Sequence, residues 1–146
     1  AAYDLYPLAN TGETFGLGRI GKLKAPLKMK DFLNQTKAAL NLTALRYGGD
    51  EDSLIEKVAV CGGSGAGLIS KAAFAGADVL VTGDIKYHEA QEALILGLRF
   101  VDAGHFATER PIAEKIARYL TEAMAAEKIS VPVHVSAADF DPFKFY

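Results

Sequence analysis

Lys57-Val58-Ala59-Val60-Cys61-Gly62-Gly63-Ser64-Gly65, Asp78-Val79-Leu80-Val81-Thr82-Gly83-Asp84 and Arg99-Phe100-Val101-Asp102-Ala103-Gly104-His105 carry the same pattern. Each is a short apolar run that ends in glycine and polar residues. A segment of helical character follows each, over residues 66–75, over 87–96 and from the third turn to about 126. Short apolar strands alternating with helices require right-handed crossovers, which gives parallel strands covered on both faces. The expected fold class is therefore α/β: a mainly parallel or mixed sheet with helices on both faces. Val58, Val79 and Phe100 should lie on neighbouring inner strands, because each run is apolar and followed by a helix.

Upstream, Met29, Phe32, Leu33, Ala38, Ala39 and Leu40 fall near a helical period, which predicts a helix over 28–40. Residues 43–47 read as a strand and Gly48-Gly49-Asp50 as a turn. Residues 15–23 read as a short glycine-punctuated strand, and the alternating residues 2–8 as another. Downstream, Ile112, Ile116, Tyr119, Leu120 and Met124 form a helical stripe expected to face a core. Residues 131–135 read as a closing strand, with His134 as a satisfied structural histidine. Asp141-Pro142-Phe143-Lys144-Phe145-Tyr146 is an aromatic tail expected to pack against this domain or a neighbour.

The 146 residues fit one compact domain, and half of them are apolar. The formal charge of −2 and scattered basic residues make nucleic acid a poor partner. No apolar run approaches the ~20 residues of a membrane span. The one cysteine, Cys61, excludes an internal disulfide and fits a reducing cytoplasm. Its place at the end of an apolar run suggests a buried structural thiol.

Ligands of an open parallel sheet bind at the carboxyl ends of its strands. Three polar loops fall there, and they hold two of the three histidines. His105 and Glu109, four apart, lie one helical turn from each other if the helix has begun. An imidazole nitrogen and a carboxylate oxygen suit Zn, Fe or Mn. Against this, Glu109 would simply support a helix N-terminus. Thr108 is a candidate N-cap and Pro111 fits the first turn beyond it, which would leave His105 in the preceding turn. Asp84 and His88 read either as an ordinary capped helix start, or one of them as a hydrogen-bond partner behind a metal ligand or a general acid/base beside the metal. Gly63, Ser64 and Gly65 form a turn suited to an anion or to close strand–helix packing, and they match neither a dinucleotide fingerprint nor a P-loop. Ser64, with Gly62 and Ala66 around it, is a weaker candidate nucleophile.

These three motifs together, Val58-Ala59-Val60-Cys61-Gly62-Gly63-Ser64-Gly65, Thr82-Gly83-Asp84-Ile85-Lys86-Tyr87-His88 and Asp102-Ala103-Gly104-His105-Phe106-Ala107-Thr108-Glu109, resemble the C-terminal half of the Nif-three-like family, whose members are also called GTP cyclohydrolase I type 2 homologues. The resemblance runs from about Tyr3 to Phe143. It implies two related halves enclosing two divalent metal ions, with His105 and Glu109 supplied by this half. The remaining ligands, a His-His pair and an Asp, belong to the N-terminal half, and this sequence has no His-His pair. It further implies a hexameric ring of the intact protein. Residues 1–10 would be the last strand of an inserted domain and 11–146 the C-terminal half. The activity implied is a metal-dependent hydrolase acting on a nucleotide or other phosphate-containing compound, and the alternative is a non-catalytic metal-binding scaffold.

Overall fold

The computed structural model describes residues 16–144, so the strand expected at residues 2–8, the inserted-domain reading of residues 1–10, and Phe145 and Tyr146 lie outside it. Five strands form one sheet in the order β1-β3-β4-β5-β2. Its centre is the repeated pattern: β3 (Leu54–Ser64), β4 (Val79–Gly83) and β5 (Arg99–Asp102) are adjacent and parallel. The edges are antiparallel, with β1 (Arg19–Lys28) on β3 and β2 (Arg46–Gly48) on β5. The sheet is thus mixed, as an α/β chain with short return strands allows.

Alternation along the inner strands separates two cores. Leu80 and Phe100 face α2 (Ile69–Phe74) and α3 (Tyr87–Ile95), where Ile69, Ala72, Ala93 and Leu98 pack. Val79, Val81 and Val101 face the other way, onto Met29, Phe32 and Leu33 of α1 (Met29–Ala39). A strand buried on both faces has no polar side to show, and β4 is buried at all five positions.

Several boundaries differ from the expected ones. β1 continues through Pro26 to Lys28, with an irregular register between Lys22 and Leu27. Pro is tolerated there because β1 is an edge strand with one side free. Gly62, Gly63 and Ser64 belong to β3, and a 3-10 turn at Ala66–Leu68 precedes α2. The long terminal helix is two helices, α4 (His105–Glu109) and α5 (Pro111–Ala126). Pro111 removes an N–H and crowds the carbonyl four residues earlier, so the chain breaks at Arg110.

Two expectations at the C-terminus are corrected. Residues 131–135 form no strand and His134 is exposed, because no described sheet edge lies beside them for pairing. The apolar stripe of α5 is not core: Ile112, Ile116, Tyr119 and Leu120 are all exposed, since no described element covers it. Phe143 is exposed as well and does not pack onto this domain. Cys61 is a buried free thiol, as its setting suggested.

The end of β4 meets the β5–α4 loop at close range. A methyl group on Gly83 would lie 2.7 Å from both the Gly104 carbonyl carbon and the His105 nitrogen. These are backbone atoms and cannot swing away. Gly83→Ala should therefore lower unfolding free energy by about 1–3 kcal/mol, the usual cost of overpacking, measured by denaturant titration. An unchanged midpoint would show that the loop is looser than this packing implies.

Candidate metal centre

Because β3, β4 and β5 run parallel, the segments that follow them meet at one sheet edge. Gly104, with φ 81°, turns the chain off β5 so that His105 is the first residue of α4 and Glu109 the last. Both residues therefore lie inside one helix, and spacing of four stacks them on one face. His105 Nε2 stands 3.2 Å from Glu109 Oε2. On the other side of the ring, Nδ1 lies 2.6 Å from Asp84 Oδ2. Asp84 follows β4 with φ 58°, a left-handed conformation that Asp adopts more readily than most residues.

Thr108 is not an N-cap, because the helix has already begun three residues earlier. Its hydroxyl lies 2.8 Å and 2.9 Å from the carbonyl oxygens of Gly104 and His105, to one of which it donates. The Thr108 hydroxyl oxygen itself accepts the Gly63 N–H at 2.9 Å, tying α4 to β3. Gly63 itself has φ 64°, and a methyl group there would lie 2.4 Å from Glu109 Oε1. Glycine at 63 therefore leaves the space in which the Glu109 carboxylate sits.

The glycine-rich strand end is otherwise closed by hydrogen bonds. Buried Thr82 accepts the Gly65 N–H at 2.8 Å and donates to the Gly63 carbonyl at 2.9 Å. The amides of Gly63 and Gly65 are thus both engaged within the protein. Ser64 is exposed, and the His105 nitrogens face Asp84 and Glu109, so no Ser–His pair is formed. His88 also stands apart from the group. Its Nδ1 is 3.2 Å from Gln91 Oε1 on its own helix, and its ring meets Tyr87 edge-on.

Three participants have a bracing role that sequence reasoning did not assign: Thr82, Asp102 and Arg46. Asp102 is buried at the end of β5, and its carboxylate accepts from Ile85 N–H, Gly104 N–H and Arg46 Nη2. A polar residue closing an apolar run was a visible signal for Thr82 and Asp102. Arg46 gave none, because only the sheet order brings β2 beside β5.

Asp84, His105 and Glu109 line a cleft of about 890 Å³ shared with Arg46, Arg110 and apolar Leu45, Ile112 and Phe143. Among the described residues no three His, Cys, Asp or Glu side chains converge as a metal-ligand set. The reason is visible in the bonds: Asp84 and Glu109 lie on opposite nitrogens of one ring. His105 Nε2 and Glu109 Oε2 do fit a shared ion. Donors about 2.1 Å from one metal at a tetrahedral angle stand about 3.4 Å apart, and these stand 3.2 Å apart. Asp84 on Nδ1 is the kind of partner that orients a ligating imidazole, with Nε2 turned to Glu109.

Fold and edge define a class: a mixed α/β domain with a His–Glu pair one helical turn apart, set against a glycine-rich strand end. Residues 3–142 match the model of the Duf34/NIF3 (NGG1p interacting factor 3) family, and the chain belongs to that family. It is 44% identical over 144 residues to the GTP cyclohydrolase 1 type 2 homolog of Bacillus subtilis, covering 99% of this chain and 38% of that protein. The corresponding protein of Halalkalibacterium halodurans is 42% identical with the same coverage. A crystal structure of a Bacillus cereus protein related to NIF3 superposes with a TM-score of 0.90 at 43% identity, covering 99% of this chain and 40% of that one. The chain thus spans about two fifths of the length of these relatives.

Charge at the pair sets a pH dependence. The hydrogen bond that the ring donates to Asp84, then the negative charge of Glu109, hold the His105 pKa above its usual 6.5. A raised folded-state pKa means that the stabilising contribution is complete below about 6.5 and is lost as pH rises through the folded value. In metal-free protein, NMR titration should place His105 above 6.5, and Asp84→Asn should bring it down. A titration curve unmoved by that substitution would put the cause elsewhere.

Proposed function

We propose that this chain is one half of a dinuclear divalent-metal site, to which His105 and Glu109 contribute one ligand each. The observation that carries the reading is the 3.2 Å separation of His105 Nε2 and Glu109 Oε2, with Asp84 holding the far side of the ring. Family membership supports a metal-associated role. The donor set favours Zn, Fe or Mn, and two ions would complete the site. Two protein ligands are too few to close even one coordination shell, so the rest must come from the N-terminal half of the intact protein.

The uncovered apolar stripe of α5 supports a partner of that kind, and a homo-oligomer, hexameric by the family resemblance, for the intact protein. Exposed aliphatic and aromatic side chains in a row are costly to leave in water. No described helix is long and apolar enough to cross a membrane. The even spread of charge gives nucleic acid no basic surface to bind.

For the complete site we propose metal-dependent hydrolysis of a nucleotide or another phosphate-containing compound. A divalent ion supplies Lewis acidity there. The chain's own residues would hold the ion through Nε2 and Oε2, fix the imidazole through Asp84, and shape one wall of the cleft. One observation favours the alternative, a metal-binding scaffold without turnover. The amides of Gly63 and Gly65, the candidate phosphate cradle, are engaged by Thr108 and Thr82.

Metal analysis of the intact protein tests the ligand assignment. His105→Ala and Glu109→Ala should each lower bound metal while leaving the fold in place, because both side chains are about half exposed. Wild-type stoichiometry in both variants would make the pair structural. Turnover of phosphorylated compounds by the loaded intact protein would then separate hydrolase from scaffold.

A further inference from the structure

We propose that Asp102, with Arg46, is the positioning residue of this site: a buried carboxylate that locks together the two loops from which Asp84 and His105 project. The inference rests on the metal-site reading above only for its consequence; the clamp itself is a matter of geometry. Asp102 is 5% exposed, and no buried side-chain polar atom among the described residues lacks a partner. Its Oδ2 accepts the Ile85 N–H at 3.1 Å, which fixes the residue immediately after Asp84. Its Oδ1 accepts the Gly104 N–H at 3.1 Å, which fixes the residue immediately before His105. One side chain therefore holds the chain neighbours of both members of the Asp84–His105 pair.

Arg46 completes the ring. Its Nη2 donates to Asp102 Oδ2 and, at 2.9 Å, to the carbonyl oxygen of Ile85. β2 pairs with β5 so that Arg46 lies directly opposite Asp102. Ile85 is thus gripped by its N–H from one side of the clamp and by its carbonyl from the other. That grip matters because Asp84 holds φ 58°, which an unconstrained loop would relax. The buried carboxylate in turn needs all its donors, since a buried charge without them is strongly unfavourable. The Ala103 N–H to Thr82 carbonyl bond at 2.8 Å runs parallel to the clamp and joins the same two strand ends.

The consequence reaches His105. Fixing Asp84 against Nδ1 holds the ring in the orientation in which Nε2 faces Glu109. Without the clamp, the Asp84–His105 contact between two half-exposed side chains has little to hold it.

Asp102→Asn in the full chain is the test. It keeps the side-chain shape but turns an amide donor toward groups that are themselves donors. Amide hydrogen exchange at Ile85 and Gly104 should quicken about tenfold, while β3 and β4 exchange as in wild type. Nuclear Overhauser contacts between the His105 ring and the Asp84 Cβ protons should weaken in the variant, because the loop that carries Asp84 is no longer held. Arg46→Met, a change at an exposed side chain, should move both readouts the same way by less. It decides the matter if Asp102→Asn does not fold. Wild-type exchange and undiminished Asp84–His105 contacts in the folded variant would overturn the proposal, as would a loss of protection spread evenly over the sheet. Neither readout needs metal, so failure here and failure of the metal assignment, tested by His105→Ala, remain separate.

Discussion

Three parallel strands that stop at the same edge determine where this molecule can place polar groups. β4 is buried at every position and β5 at all but its first, while β3 alternates between a buried and an exposed side. β4 and β5 therefore leave little room for polar groups along their length, and those groups collect where the strands end. At that edge the backbone leaves the sheet ladder, and its freed donors and acceptors must find side chains. Thr82, Asp102 and Thr108 each meet that need, and each ties two of the three strand ends together. The site is built on this frame: His105 and Glu109 ride on a five-residue helix held at both ends by it.

The same constraint explains why the pair is open on one side. α4 rests on β3 and β4, leaving the Nε2–Oε2 edge directed to the cleft beside Arg110 and the C-terminal segment. A structural salt bridge of this kind, half exposed, would contribute little to stability. Gly63, whose missing side chain leaves room for the Glu109 carboxylate, permits the pair to form. Space reserved for a carboxylate that stabilises little argues for a ligand rather than for a fold contact.

Much of this was legible in the chain itself. The repeated apolar run, glycine turn and helix defined the inner strands, because burial on both faces and a crossover leave a strong local pattern. His105 and Glu109 were visible as a spacing, and the motifs around them pointed to the family. What stayed hidden depended on long-range contacts. Arg46 acts through sheet order, and the choice of Asp84 over His88 as the partner of His105 depends on how two loops 21 residues apart come together. The misreadings share one cause as well. Ile112 to Leu120 and residues 131–135 show an apolar pattern, but pattern reports what a segment would bury and not whether this chain supplies the partner.

The central claim is that His105 and Glu109 are ligands of a divalent ion. Anomalous scattering from crystals of the intact protein grown with Zn or Mn tests it most directly, since it places the ion without reference to activity. The account predicts a peak about 2.0–2.2 Å from His105 Nε2 and from a Glu109 carboxylate oxygen, with Asp84 still on Nδ1. An ordered ion elsewhere, with His105 and Glu109 bound only to each other, would contradict it.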